Sequence, residues 1–213
     1  MSNSTSKIYT EHHALNREAG FSILKDERGV LISRIIGKDK TVLDIGCRDG
    51  ALTKFFSEGN TVLGVDIDDG ALALVKKELG IETKNIDLNG DWSEIQGRKF
   101  EAVVAGEVLE HLYNPESIVK KIADHLESKG VFVGSVPNAF SLKNRLRYLI
   151  GSKRYTPLSD PTHITQFHID ELRGILEGHF DHVEVRGLGR YKKLSKLFPG
   201  LFGFDLFFIC HKT

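Results

Sequence analysis

Short apolar, β-branched runs alternate along this chain with stretches of helical spacing. Residues 41–45 (Thr-Val-Leu-Asp-Ile) form the first buried-strand run, a glycine-punctuated turn follows over 46–50, and helical spacing resumes over 51–57. A second run, 61–65, closes on Asp66 and leads into an amphipathic helix over 70–79 and a short strand over 81–88. The run from Phe100 predicts a fourth strand, passing at once into a helix that starts near Glu107. Residues 117–126 then read as a helix with Gly130 as its stop, and 131–136 as a fifth strand. A helix over 170–178 and strands over 182–188 and 205–211 complete the pattern. Upstream, 8–36 has helical spacing in two pieces, with Phe21, Leu24, Val30, Leu31, Ile35 and Ile36 apolar before Gly37 breaks it.

The turn at 46–50, Gly-Cys-Arg-Asp-Gly, carries the first chemical signal. Gly46 and Gly50 let the backbone turn sharply and a ligand approach it, and the element that follows offers unpaired N–H groups. Asp44, at the mouth of the strand, favours a cationic or hydroxyl-bearing ligand and disfavours a pyrophosphate. A dinucleotide fingerprint would place glycines at 46, 48 and 51, where the chain has Arg48 and Ala51, and no Gly-Lys-Ser/Thr follows to cradle a phosphate. Asp66 ends the next strand, where a carboxylate can accept both hydrogen bonds of a ribose diol.

In this order, the two elements resemble motif I and the following acidic motif of the class I S-adenosylmethionine-dependent methyltransferases. Glu107-Val-Leu-Glu-His-Leu112, followed by Asn114-Pro-Glu116, is similar to the motif IV region of the ubiquinone-biosynthesis and type 11 members. Ser135-Val-Pro-Asn138 and the segment after it look like MetW-like proteins and small-molecule methyltransferases. Roughly 100 residues match in order and spacing. The resemblance implies an α/β fold: a Rossmann-like, seven-stranded, mostly parallel sheet with helices on both faces and the last strand antiparallel. It also implies an N-terminal helical lid (1–37, with Tyr9, His12 and His13), a cofactor-binding half (38–137), an acceptor-side insertion after the fifth strand (138–168) and a closing helix and strands (169–213), all in one domain. The cofactor it implies is S-adenosyl-L-methionine, leaving as S-adenosyl-L-homocysteine. Its contacts would be Asp44, Gly46, Cys47, Gly50, Asp66, Ile67, Asp87, Leu88, Gly106 and Glu107, with Asp87 and Leu88 beside the adenine. Arg48 departs from the family's usual Gly-x-Gly-x-Gly loop; a positive φ there would cost about 1 kcal/mol.

On the acceptor side, Glu107, Glu110 and His111 fall at i, i+3 and i+4 and would project from one helix face. A divalent ion on these three is the less favoured reading because one helix alone supplies the ligands, and no metal is assigned. His163, in a loop that enters a helix, and His111 are the candidate acid–base residues, since a neutral imidazole can take a proton from a hydroxyl as the methyl group moves. Asn138, Arg145, Arg147 and Tyr155 are the candidate acceptor-binding residues. His168 reads as a surface group.

Composition changes the picture in one respect. The chain has 213 residues and is formally neutral, yet residues 1–140 carry 17 Lys and Arg against 22 Asp and Glu, whereas 141–204 carry 11 against 6. The segments 141–159 and 185–204 contain no acid, which suits an anionic acceptor, and the second is strongly apolar as well, which suits at most peripheral membrane contact, a pocket wall or a dimer surface. Nucleic acid is excluded as a partner by the short patch and neutral balance. Cys47 and Cys210 give neither a disulfide framework nor a metal spacing, and with no apolar leader this reads as a cytoplasmic protein, a monomer or homodimer. The expected activity is methyl transfer to an oxygen, less readily a nitrogen, of a small-molecule or glycan-type acceptor. The alternatives are a non-catalytic, MetW-like partner of a biosynthetic enzyme and an NAD-linked reductase.

Overall fold

The computed structural model describes residues 22–213. Tyr9, His12, His13 and Phe21 lie outside the described residues. Two compact units divide the chain, one ending at Gly106 and the other covering Glu107–Thr213.

In the first unit, β1 (Thr41–Ile45), β2 (Thr61–Asp66), β3 (Glu82–Asn85) and β4 (Phe100–Gly106) run in the order β3-β2-β1-β4. All the pairings are parallel, with Asp44 level with Gly64 on one side and Val104 on the other. Val42, Leu43, Ile45, Val62, Leu63, Val65 and Val103 are buried, as continuous apolar runs in a parallel sheet require. Two helices belong to this unit, α1 (Lys25–Ile36) and α2 (Asp69–Leu79). Asp68 caps α2 by accepting from the N–H groups of Gly70 and Ala71, and Gly80 ends it in the left-handed region. Leu72 and Val75 form its buried face.

The second unit contains α3 (Pro115–His125), β5 (Leu126–Pro137), α4 (Leu142–Leu149), α5 (Ile169–Glu177), β6 (His182–Leu188), α6 (Lys192–Leu197), α7 (Pro199–Phe202) and β7 (Asp205–His211). Asn114 caps α3 from its side chain, with Pro115 at the first helical position, where its missing N–H does no harm. β7 pairs antiparallel with both β5 and β6, and Phe132, Phe207 and Phe208 are fully buried. The seven strands have the order β3-β2-β1-β4-β5-β7-β6, the mostly parallel arrangement expected, with β7 antiparallel.

Four expected elements differ. The helix over 51–57 is only a 3-10 turn, Thr53–Phe55, in which the Thr53 hydroxyl turns inward to bond Asp44. The helix expected from Glu107 is likewise a 3-10 turn, Leu109–His111, because Glu107 sits at φ 62°, outside the helical region. The strand over 81–88 shortens to Glu82–Asn85, and the Asp87 carboxylate accepts from the N–H of Asn89 to close a turn. Gly130 stops no helix: α3 gives way to β5 at Leu126, and the left-handed residue there is Lys129, at φ 65°.

Candidate active site

At the carboxyl end of β1 the backbone takes three left-handed steps, at Gly46 (φ 67°), Arg48 (φ 47°) and Gly50 (φ 74°). The first is natural to glycine, and at Gly50 a Cβ would also come within 2.9 Å of Leu79. Arg48 therefore does carry the penalty its position implied. It also gains a bond, since its N–H donates to Oδ2 of Asp66 at 2.8 Å. Oδ1 of Asp66 accepts from the N–H groups of Ile67 at 2.8 Å and Asp68 at 3.0 Å. Gly46 and Cys47 both donate to the carbonyl of Val65, so the loop after β1 and the end of β2 are one hydrogen-bonded body.

Asp44 lies beneath this loop and is buried, with Oδ2 accepting from the Thr53 hydroxyl at 2.6 Å. Burial pushes its carboxyl up to about 7; the Thr53 bond pulls the other way, and the charge of Asp66 adds to the rise. Burial raises Asp66 too, opposed by its three backbone bonds. Two carboxyls reluctant to ionise lie at one cradle, and a cationic ligand would favour their charged forms.

The Cys47 side chain does not enter the cradle. It packs with Leu72 and Val75, against which Leu79 and Ile81 also lie, leaving only its backbone at the loop. Asp87 and Leu88 sit in the turn after β3, where the carbonyl of Leu88 accepts from the Trp92 indole at 3.1 Å. A residue not singled out in the sequence is Arg28, 1% exposed on α1. A Cβ added to Gly106, at the end of β4, would lie 2.5 Å from Leu52 and 3.8 Å from an Arg28 guanidinium nitrogen. Ordinary helical spacing around Arg28 concealed it, because a charged residue on an amphipathic helix reads as surface.

In the second unit, Glu107 is diverted to Ser135: its Oε1 accepts from the Ser135 hydroxyl at 3.0 Å and its N–H donates to the Ser135 carbonyl at 3.0 Å. The expected face of Glu107, Glu110 and His111 on one helix therefore does not form. Instead Glu110 and His111 meet His163. The two imidazoles stack edge to face with centroids 4.9 Å apart. His111 Nδ1 bonds the Thr162 carbonyl at 2.9 Å and His163 Nδ1 the Pro157 carbonyl at 3.2 Å. The N–H of Thr165 donates to the Glu110 carbonyl at 2.9 Å, tying the loop to the 3-10 turn.

The four acceptor candidates separate. Asn138 is buried, and its Nδ2 donates to the carbonyls of Gly203, Gly200 and Pro199 at 2.9, 3.1 and 3.4 Å, so its side chain holds the segment around α7. Arg145 donates to the carbonyl of Phe140 and lies 3.2 Å from His168 Nε2. Arg147 and Arg154 flank the exposed ring of Tyr155, their guanidinium carbons 5.6 and 4.7 Å from its centroid. His168 is the N-cap of α5, its ring accepting from the N–H of Asp170. Leu149, Ile150, Leu197, Phe198 and Phe204 are exposed in the acid-free segments, and among the described residues no helix is long and apolar enough to cross a membrane.

A sequence profile described as a methyltransferase domain matches residues 16–179. The chain belongs to this family. It is a class I, S-adenosylmethionine-dependent methyltransferase by lineage, and its relatives agree. A ubiquinone biosynthesis O-methyltransferase from Nitrosomonas europaea is 31% identical over 129 residues, covering 57% of this chain and 54% of the relative. The match thus spans about half the length of that relative. In fold, a methyltransferase from Archaeoglobus fulgidus aligns over 96% of this chain and 99% of its own, with a TM-score of 0.69 at 19% identity. Magnesium protoporphyrin IX methyltransferase from Synechocystis, solved with S-adenosylhomocysteine, aligns over 91% and 84% with a TM-score of 0.65 at 16% identity.

Proposed function

We propose that this methyltransferase moves a methyl group from S-adenosyl-L-methionine to an oxygen of a small molecule. The observation that carries the reading is the cradle of the first unit, in which Arg48 and Asp66 lock a left-handed glycine loop above the buried Asp44. Two adjacent carboxyls suit a ligand with a sulfonium and an ammonium, and make the site poor for a pyrophosphate. Asp66 serves the ribose diol with the acceptor position on Oδ2 that its three backbone bonds leave, and Asp87 and Leu88 serve the adenine. Arg28 supplies the charge opposite to the cofactor's own carboxylate.

The chemistry then needs little. The sulfonium makes the methyl group electrophilic; the acceptor oxygen must be held in line, about 3 Å from it, with water excluded. As the carbon–oxygen bond forms, the carbon–sulfur bond breaks and the sulfonium becomes a thioether, while the hydroxyl proton leaves. In the chain by itself, Nε2 of His163 or His111 takes that proton, because Nδ1 of each ring donates to a carbonyl. Oxygen as the target, rather than nitrogen, is supported by the O-methyltransferase relative and by a base being present at all. Arg145, Arg147 and Tyr155 are the residues we assign to an anionic acceptor.

Calorimetry with S-adenosylmethionine, S-adenosylhomocysteine and NAD tests the first half: the two sulfur nucleosides bind and NAD does not. Incubation with labelled cofactor and a panel of phenols, sugars and amines tests the second, with label expected in an alkali-stable ether. Label appearing only in amines would overturn the choice of oxygen.

A further inference from the structure

We propose that Trp92 is a positioning residue for the cofactor's adenine: its indole holds the Asp87 carboxylate in the orientation that selects a 6-amino purine. This role rests on the adenine contacts proposed above for Asp87 and Leu88.

Residues 86–95 hang between two fixed points of the first unit. At one end the N–H of Ile86 donates to the carbonyl of Asp66 at 2.9 Å, so the segment starts from the acid that ends β2. At the other, Lys84 Nζ reaches from β3 to the carbonyl of Glu94 at 2.8 Å, inside the 3-10 turn Ser93–Ile95. Between them Asp87 to Gly90 make a β-turn, closed by the Gly90 N–H donating to the Asp87 carbonyl at 2.9 Å.

The two common forms of such a turn differ by half a rotation of its central peptide, here the one joining Leu88 to Asn89. Asn enters the left-handed region at little cost, so the sequence of the turn leaves both forms open. Trp92 decides between them. Its indole N–H donates to the Leu88 carbonyl at 3.1 Å, and because the peptide is planar and trans, the Asn89 N–H then points the opposite way, where it donates to Asp87 Oδ1 at 2.9 Å. A carbonyl that accepts a bond makes the N–H of its own peptide a stronger donor, so the indole tightens the hold on the carboxylate. Rotating the peptide would break both bonds at once. Trp92 is only 5% exposed, whereas Asp87 and Leu88 are half-buried, which places the holding group inside and the held group where a ligand can reach it.

With Oδ1 engaged, Oδ2 is the oxygen that Asp87 offers to a base. A carboxylate accepts only, so it suits the 6-amino group of adenine, whereas hypoxanthine would set its own carbonyl oxygen against it. A carboxylate free to swing could turn away from that clash; one held by the peptide cannot. The indole therefore contributes selectivity between bases, which bulk in the interior would not.

Trp92→Phe keeps most of the ring's volume and removes the donor. Calorimetry on parent and variant compares S-adenosylhomocysteine with S-inosylhomocysteine. We expect affinity for the adenosyl compound to fall by about three- to tenfold in the variant, and affinity for the inosyl compound to stay within about twofold, so that the preference for adenine shrinks. A role in packing alone would weaken both ligands alike, and an unchanged preference in a folded variant overturns the proposal. Should the variant fail to fold, the parent gives the answer, because the chain has a single tryptophan and hence one indole N–H resonance. That resonance should move with methylthioadenosine, which carries adenine, and stay in place with S-ribosylhomocysteine, which lacks it; a resonance indifferent to adenine overturns the proposal. Absence of heat from the parent with either S-adenosylmethionine or S-adenosylhomocysteine would overturn the proposed function and this role with it, whereas cofactor binding with an unchanged base preference overturns this role alone.

Discussion

The N–H of Arg48 donates to Oδ2 of Asp66 at 2.8 Å, so the loop that follows β1 is fastened to the acid that ends β2. Three backbone bonds to one half-buried carboxylate make Asp66 a support for the cradle, beside the diol contact proposed for it. Asp66→Ala should therefore lower both quantities at once: calorimetric affinity for S-adenosylhomocysteine by at least about tenfold, and stability by about 1–3 kcal/mol. Chemical denaturation beside the binding titration reads the two separately.

Asp44 makes a prediction about pH. Its carboxyl stands at about 7 in the fold against 3.8 ordinarily, so the folded chain binds a proton that the unfolded chain has lost between those values. Stability from this group is thus greatest in acid and falls as pH rises from about 4 to about 7, by on the order of 4 kcal/mol. Asp44→Asn should be more stable than the parent at pH 8, with the advantage fading below pH 5. A cationic ligand draws the proton off, so binding of S-adenosylmethionine near pH 6 should release protons, seen as a dependence of the observed heat on buffer ionisation enthalpy. The variant should release fewer protons, those that remain coming from Asp66, whose carboxyl burial also raises.

Arg28 is predicted to meet the cofactor's carboxylate. Arg28→Met keeps the length of the buried stem and removes the charge, and should weaken S-adenosylhomocysteine by about tenfold or more. Methylthioadenosine, which has no carboxylate, is the control, and its affinity should be unchanged. Equal losses for both ligands would mean that α1 had shifted and that the guanidinium touches neither.

Asn138 should behave as a structural residue. Asn138→Ala leaves three backbone carbonyls around α7 without their shared donor, at a cost of about 1–3 kcal/mol in denaturation. KM for the acceptor should follow stability alone, recovering at low temperature where the variant is fully folded.

Much of this was legible in the sequence, because the signals were local. Apolar runs such as 42–45 and 61–65 read directly as buried strands, and the Gly46–Gly50 turn announced its left-handed steps through its glycines. What failed to show depends on side chains meeting across the chain. Nothing near Glu107 signals that Ser135 will claim its carboxylate, and this bond, with φ 62° at Glu107, is why three residues at helical spacing do not share a face. The loop around His163 is legible by itself, but its partners, Glu110 and His111, lie more than fifty residues earlier. By sequence Asn138 is a polar group at a strand end, and only the fold around residues 199–203 turns it inward.

Each of the two units contains a single buried cysteine, Cys47 in the first and Cys210 in the second, and burial holds both thiols well above their ordinary range. Neither thiol will react with an alkylating reagent until its surroundings open. The two labelling rates, separated by peptide mass, therefore report breathing of each half independently and with no added probe. A ligand that clamps only the glycine loop should slow one clock and leave the other running.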